Sequence, residues 1–290
     1  MAKWLILIVV VLLLCIAECF REIFTFKITY YDIISEKLIG LERERKVLFL
    51  SDLHSNSYGH GNERLLQAIR AQNPDLIFVG GDMLVGNKGA SSQVAERLME
   101  QLVKLCPVYY ANGNHEQRMK LFPETYGTQY QEYKKNLEDK GVKCLENEHA
   151  DIVLDDCPMQ IHGLEIPYEN YKKFRKTPLT VEQVTACIGQ ADPDKFQILL
   201  AHNPIYMNTY LEWGADLILS GHLHGGIVRI PGLGGVITPQ FELFPKFSGE
   251  YTKQGTSSVV VSKGLGTHTI KMRLFNPAEL IVLRIQGIEK

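Results

Sequence analysis

Charge of one sign is missing from this sequence: 31 Lys and Arg stand against 33 Asp and Glu in 290 residues, a formal net charge of -2. So balanced a chain has no general cationic surface to gather nucleic acid, and no nucleic-acid partner is expected. A site that sought phosphate would have to bring its own positive charge, and metal ions could supply it. The six cysteines, at 15, 19, 106, 144, 157 and 187, form no CxxC pair, which argues against a structural zinc site and a dense disulfide framework. They read as buried free thiols. If the part beyond the N-terminal segment is exported, the last four could pair in any of three ways. There is no internal repeat and no low-complexity stretch, so solenoid and linker-rich organisations are set aside. With 45% apolar residues, one large domain with a sizeable core is expected.

Trp4 to Ala17 is an unbroken apolar run, preceded by Lys3 and followed by Glu18, Arg21 and Glu22. It is short for a free-standing membrane span and suits a signal-peptide core or a signal anchor. No A-x-A cleavage pattern follows it. Neither Leu12-Leu13-Leu14 before Cys15 nor Ile16-Ala17-Glu18 before Cys19 gives the small-residue setting of a lipoprotein cysteine. The expectation is an uncleaved anchor over residues 1–22 and one functional domain over residues 23–290. A buried N-terminal helix is the alternative, weakened by the lack of any polar residue that would give the run an amphipathic face. Lys3 before the run and the acidic flank after it place the domain on the extracytoplasmic face of the cell membrane. The scattered cysteines favour the cytoplasmic face instead.

Beyond a leading strand over Phe24 to Ile34, one arrangement recurs five times. A short apolar run ends abruptly in residues of metal-binding type. VLFL runs into Ser51-Asp52-Leu53-His54, LIFV into Gly80-Gly81-Asp82, and VYYA into Asn112-Gly113-Asn114-His115-Glu116. ILLA runs into His202-Asn203-Pro204, and LILS into Gly221-His222-Leu223-His224. Such runs read as strands covered on both faces. Between them, Asn62 to Ala71, Ser92 to Leu105 and Thr180 to Ile188 have helical character. Strands alternating with helices imply an α/β fold, whose ligands bind beyond the carboxyl ends of the strands.

Each fragment is weak alone. In an extended segment Asp52 and His54 would point to the same side and could grip one ion. Asp82 is the candidate shared ligand, since a carboxylate can bridge two cations; the plainer reading is a turn aspartate that caps local amides. Gly80-Gly81 and Gly113 would permit tight turns. Asn114 can offer a carbonyl oxygen and His115 a proton, or the two can sit in an Asx-type turn. His202 alone is more often a core histidine, whereas His222 and His224, two apart before Gly225-Gly226, can each reach an ion. Five fragments in this order at five strand ends are far more specific than any one of them.

In that order the chain resembles the calcineurin-like metallophosphoesterases, and among them the membrane-associated bacterial phosphodiesterases of the YkuE and YaeI type. The resemblance runs from about Lys46 to Arg284 and includes Val261-Ser262-Lys263-Gly264-Leu265-Gly266 and Arg273-Leu274-Phe275-Asn276-Pro277-Ala278-Glu279. It departs at Leu223, where the family often has Thr, and at Lys263, where Arg is common in the subgroup. It implies a four-layer α-β-β-α sandwich with two facing mixed sheets, the site lying along one edge. It also implies that Asp52, His54, Asp82 and His224 hold one metal and Asp82, Asn114, His202 and His222 the other, with His115 beside them.

Two divalent ions, of Mn, Fe or Zn by the mixed oxygen and nitrogen donors, would generate a bridging hydroxide for in-line attack on phosphorus. His115, hydrogen-bonded to the carboxylate of Asp52 or a neighbour, would stabilise or protonate the transferred group. Glu116 reads as a support for its loop, His60 as exposed, and His149, His162 and His268 as structural. The leading function is hydrolysis of a phosphodiester or pyrophosphate. A phosphomonoesterase and a catalytically inactive metal-binding scaffold are the alternatives. Pro231, Gly232, Pro239, Phe241, Phe244, Pro245 and Phe247 either wall the site, as suits a lipid-linked phosphoester beside a membrane anchor, or are ordinary core.

Overall fold

The computed structural model describes residues 1–172, 177–226, 228–230, 232–237, 243–267 and 271–288. Helix α1 (Ala2–Phe24) precedes strand β1 (Phe26–Ser35). Then come β2 (Arg45–Leu50), α2 (Glu63–Gln72), β3 (Leu76–Val79), α3 (Gln93–Leu102) and β4 (Val108–Ala111). Helices α4 (Asn114–Leu121), α5 (Pro123–Tyr126) and α6 (Gln129–Asp139) lead to β5 (Lys143–Leu145). Next are β6 (Glu148–Leu154), β7 (Cys157–Leu164), α7 (Val181–Ile188), β8 (Phe196–Ala201), α8 (Met207–Trp213) and β9 (Leu217–Ser220). The short pair β10 (Arg229–Ile230) and β11 (Gly234–Gly235) is followed by β12 (Glu250–Gln254), β13 (Ser257–Val261) and β14 (Ala278–Gly287).

Two six-stranded mixed sheets carry the fold, in the orders β1-β14-β2-β3-β4-β5 and β12-β13-β9-β8-β7-β6. Strands β2 to β5 are mutually parallel, as are β7, β8, β9 and β13, so the carboxyl ends within each set point the same way. Alternation within the apolar runs decides the layering. Val47 and Phe49 of β2 face a core shared with Ile198 and Leu200 of β8 and Leu217 and Leu219 of β9. Leu48 and Leu50 face the other way, onto Leu65, Leu66 and Ile69 of α2 and Leu98 and Leu102 of α3. Leu199, Ile218, Val259 and Val261 form a third core with Val184 and Ile188 of α7 and Tyr210 and Trp213 of α8. Helix, sheet, sheet, helix is the four-layer sandwich expected, and a strand buried on both faces has no polar position to show.

The expected helices appear with ends shifted by up to three residues. Thr180 caps α7, its hydroxyl accepting from Gln183 N and the Gln183 side chain reaching back to Thr180 N. Helix α3 stops at Leu102, leaving Leu105 outside it and 37% exposed. Helix α1 continues the apolar run to Phe24, and at 23 residues it is about 34 Å long, enough to cross a ~30 Å hydrocarbon layer. Its apolar residues from Trp4 to Leu14 are exposed, so it is not a core helix. All six cysteines are free, and burial pushes Cys106 and Cys144 up to about 12, which leaves both as inert thiols.

Candidate metal centre

The five runs end together. Asp52 and His54 follow β2, Asp82 follows β3, Asn114 and His115 open α4 after β4, His202 follows β8, and His222 and His224 follow β9. Ligand atoms of Asp52, His54 and His224, of His54, Asp82 and His115, and of Asp82, His202 and His222 lie within 4.8 Å of one another in each group. Asp82 Oδ2 stands 3.2 Å from His202 Nε2, 3.8 Å from His54 Nε2 and 3.9 Å from His115 Nε2. Asp52 Oδ1 stands 3.5 Å from His224 Nε2, 3.8 Å from His202 Nε2 and 3.9 Å from His54 Nε2.

The backbone brings them together by a different route from the extended one. Asp52, His54, Asp82, His222 and His224 all have left-handed φ, between 47° and 69°. Each such residue costs roughly 1 kcal/mol, Asp and His tolerating it better than most. Side chains two apart therefore converge because the chain curls after each strand. Gly81, at φ 83°, is needed for its turn and because a Cβ there would overlap Gly113 N. Gly113 itself is extended, at φ -93° and ψ -172°, and has no side chain because Asp82 Oδ1 occupies that space.

Hydrogen bonds behind the site set which atoms face it. His202 Nδ1 donates to Gly80 O at 2.6 Å and His224 Nδ1 to Gly266 O at 3.2 Å, which leaves both Nε2 lone pairs directed inward. His115 is turned the opposite way round. Its Nδ1 accepts from Gly86 N at 2.8 Å, with Arg118 Nη2 3.4 Å away, so the ring proton sits on Nε2, on the Asp82 side. The carboxylate partner expected for His115 is thus replaced at Nδ1 by a backbone amide. Glu116 supports the loop, as expected: it accepts from Asp82 N, Met83 N, Gly113 N and Tyr110 OH at 2.8–3.0 Å.

Asp82 also performs the plainer task, its Oδ1 accepting from His115 N at 2.8 Å while Oδ2 faces the histidines. Burial works against its charge, yet His202 and His115 hold it well below the usual carboxylate range. Burial pushes Asp52 up to about 6 against the pull of His202. His202 rises to about 10, since the carboxylates of Asp82 and Asp52 overcome the cost of burying its charge. Two buried carboxylates thus demand a cation between them, which a proton on imidazole or a divalent ion can be. The donor set suits the ion, and so does Asn114 Oδ1, which is buried and accepts no hydrogen bond from the described residues.

Several contributors carried no sequence signal of their own. Tyr171, at the end of the 3-10 turn Tyr168–Tyr171 after β7, lies edge-on to His222 with ring centroids 5.2 Å apart. Ser51 Oγ donates to Asp52 Oδ2 at 2.6 Å. Buried Arg273 donates to the carbonyls of Lys263, Gly264, Gly266 and Asn276 at 2.7–3.1 Å. Asn276 Nδ2 donates to His224 O at 2.6 Å, and Asn276 N donates to Glu22 Oε2 of α1 at 2.8 Å. Lys263 is neutralised by Glu279, 3.0 Å away.

Of the remaining histidines, His60 and His149 are exposed, and His162 pairs with Gln197 Oε1 at 2.9 Å, where burial pushes it down to about 4. His268 lies outside the described residues, as do Pro231, Pro239 and Phe241. Pro245 and Phe247 join Pro204, Ile205, Met207 and Leu223 around a cleft of about 170 Å³. Leu223, between His222 and His224 in sequence, is buried at 1% exposure, and Phe244 is exposed.

Residues 45–226 match the profile of a family described as calcineurin-like phosphoesterase. A metallophosphoesterase of Aquifex aeolicus is 26% identical over 268 residues, covering 92% of this chain and 94% of that protein. A transmembrane protein with metallophosphoesterase domain from Danio rerio is 26% identical over 270 residues, 89% of this chain and 57% of that longer protein. Among solved structures, the phosphopantetheinyl hydrolase of Mycobacterium tuberculosis superposes with a TM-score of 0.49 at 14% identity, covering 81% of this chain and 96% of that one.

Proposed function

The chain belongs to the calcineurin-like phosphoesterase family and is a phosphoester hydrolase; on that premise we propose that it cleaves phosphodiesters or pyrophosphates at a two-metal centre beside a membrane. The observation that carries the reading is Asp82 Oδ2, one carboxylate oxygen flanked by His202, His54 and His115 at 3.2–3.9 Å. Asp52, His54, Asp82 and His224 would hold one ion, and Asp82, Asn114, His202 and His222 the other. Divalent ions there would supply Lewis acidity to the phosphoryl oxygens and acidify a water toward neutral pH. Everything else comes from the chain. With divalent ions in place of the proton that His202 otherwise carries, His202 and His224 would present Nε2 lone pairs because their Nδ1 protons are bound by carbonyls. His115 presents an Nε2–H because its Nδ1 accepts from an amide, and this makes it a hydrogen-bond donor that would stabilise charge on the phosphoryl or leaving oxygen.

The cleft beside Leu223, lined by Asn208 and Lys246 as well as by apolar side chains, supports a diester over a monoester only as space for a second ester group. A lipid-linked phosphoester fits that cleft and an uncleaved anchor in α1, with residues 23–290 as the catalytic domain on the extracytoplasmic face.

The test is metal analysis of the purified full-length protein together with matched assays on an aryl phosphate and a bis-aryl phosphate. Two metals per chain and faster turnover of the diester are expected. Fewer than one metal after reconstitution, with no turnover of either ester, would sink the two-metal centre, and faster turnover of the monoester would displace the diesterase. Asp82→Ala should remove both metals and activity. His115→Ala should keep the metals and slow turnover by roughly 10²–10⁴.

A further inference from the structure

Outside α1, exposed large apolar side chains are mostly scattered among the described residues, with one concentration. Ile230, Leu233, Leu243 and Phe244 of one loop and Met272 and Phe275 of another are between 37 and 69% exposed. Backbone contacts at Leu274 join the second loop to the first, and further hydrogen bonds fold the first loop on itself. Arg229 N donates to Leu274 O at 3.0 Å, Val236 N to Val228 O at 2.9 Å, and Phe244 N to Val236 O at 3.0 Å. Bridges pair Val228 with Leu274 and Ile237 with Leu243.

This surface runs into the end of α1. Glu22 holds Asn276 N, one residue beyond Phe275, and Phe20 and Phe24 in the last turns of the helix are exposed. Phe244 and Phe275 both have left-handed φ, 47° and 53°, which a bulky residue rarely adopts. At Phe275 the neighbouring residue fixes the backbone: Asn276 is bound at its N by Glu22, at its O by Arg273 and through its side chain to His224 O.

We propose that this apolar rim is a second contact with the bilayer, beside α1, and that it holds the metal centre at the level of the lipid headgroups. The occupant is a lipid surface because the rim continues the exposed apolar face of α1. Phe, Leu, Ile and Met displayed on loops next to a spanning segment belong in the interface between headgroup and acyl chain. The metal centre is drawn to the same plane: His222 and His224 lead through Gly225-Gly226 into the first loop, and Asn276 touches both His224 and α1. A phosphoester would then be taken from the plane of the membrane. The inference rests on reading α1 as a membrane anchor.

The chain has two tryptophans, Trp4 in α1 and Trp213, which is buried under the second sheet. The full-length protein is reconstituted into phosphatidylcholine vesicles with and without brominated acyl chains, and tryptophan emission is read. Trp4 emission, taken as the difference from Trp4→Phe, reports the anchor. Leu233→Trp and Phe275→Trp each add emission at the rim, and Val153→Trp adds it at an exposed position on β6, near the end of the second sheet away from the metal centre. Retained hydrolysis of the aryl ester shows that each variant is folded.

Bromine should remove most of the Trp4 emission and most of that added at 233 and 275, and little of that added at 153. Loss at Trp4 without loss at 233 and 275 would overturn the rim contact and leave the anchor standing. No loss at Trp4 would overturn the anchor reading and the rim contact with it. Blue-shifted, unquenched emission at 233 and 275 would mean that protein covers the rim, and would also overturn the proposal.

Discussion

The two sides of the metal centre are held in different ways. On one side Asp82, Asn114 and His115 are fixed by Glu116, which reaches Asp82 N across only 34 residues and sits within the β3–β4–α4 unit. On the other, His224 is fixed by Gly266 O, 42 residues on, and by Asn276, 52 residues on, and Asn276 is bound in turn to Glu22, 254 residues away. The first side is complete once two adjacent parallel strands and one helix are in place. The second needs both ends of the chain. Whatever tilts α1 should therefore disturb His224 before it disturbs Asp82.

Glu116→Ala should have the largest effect. It strands three backbone amides and the Tyr110 hydroxyl in a fully buried pocket, at about 1–3 kcal/mol for each donor not re-satisfied. The expected loss is about 4 kcal/mol of unfolding free energy, read from urea midpoints in detergent, and if Asp82 bridges two metals as proposed, both should be lost together. Glu116→Gln should cost less, since its amide oxygen still accepts two of the four hydrogen bonds while its NH2 faces the other two donors. If Arg273→Ala destabilised the chain by as much as Glu116→Ala, the asymmetry between the two sides would be gone.

Asn276→Ala is the next step down. It removes the donor to His224 O but no ligand, so it should weaken one metal by roughly 10–100-fold and spare the other. Metal titration by calorimetry reads this as one displaced isotherm of two. Equal weakening of both metals would show that the two sides are not independent.

The strand ends were legible on both sides, as a set rather than singly: LIFV before Gly80-Gly81-Asp82 reads like LILS before Gly221-His222-Leu223-His224, because a strand buried on both faces is an unbroken apolar run. Helices α2, α3 and α7 were legible as stretches of helical character, whereas the Thr180–Gln183 cap of α7 came only with the structure. Helix α6 was not, since its buried face is Tyr130, Tyr133 and Leu137 amid charged residues. The left-handed curl at Asp52, His54, His222 and His224 was also hidden, because those residue types accept that conformation without requiring it. Arg273 and Asn276 lay in a stretch that drew notice only by resemblance. Their task depends on Gly266, His224 and Glu22, none of which is near them in sequence, and such contacts leave no local pattern.

The smallest expected effect sets where the second side ends. Glu22 is 2% exposed and accepts one backbone hydrogen bond, from Asn276 N at 2.8 Å. In Glu22→Gln the amide oxygen can take the same bond, so metal affinity and turnover should change by less than about threefold. Glu22→Ala leaves the Asn276 amide without that acceptor, at about 1 kcal/mol, or about fivefold in affinity if the whole cost reaches His224. That cost should fall on the metal weakened by Asn276→Ala and not on the other. A Glu22→Ala chain that binds both metals as tightly as the parent, alongside an Asn276→Ala chain that does not, would place the boundary at Asn276. Helix α1 would then hold the protein at the membrane without reaching the chemistry.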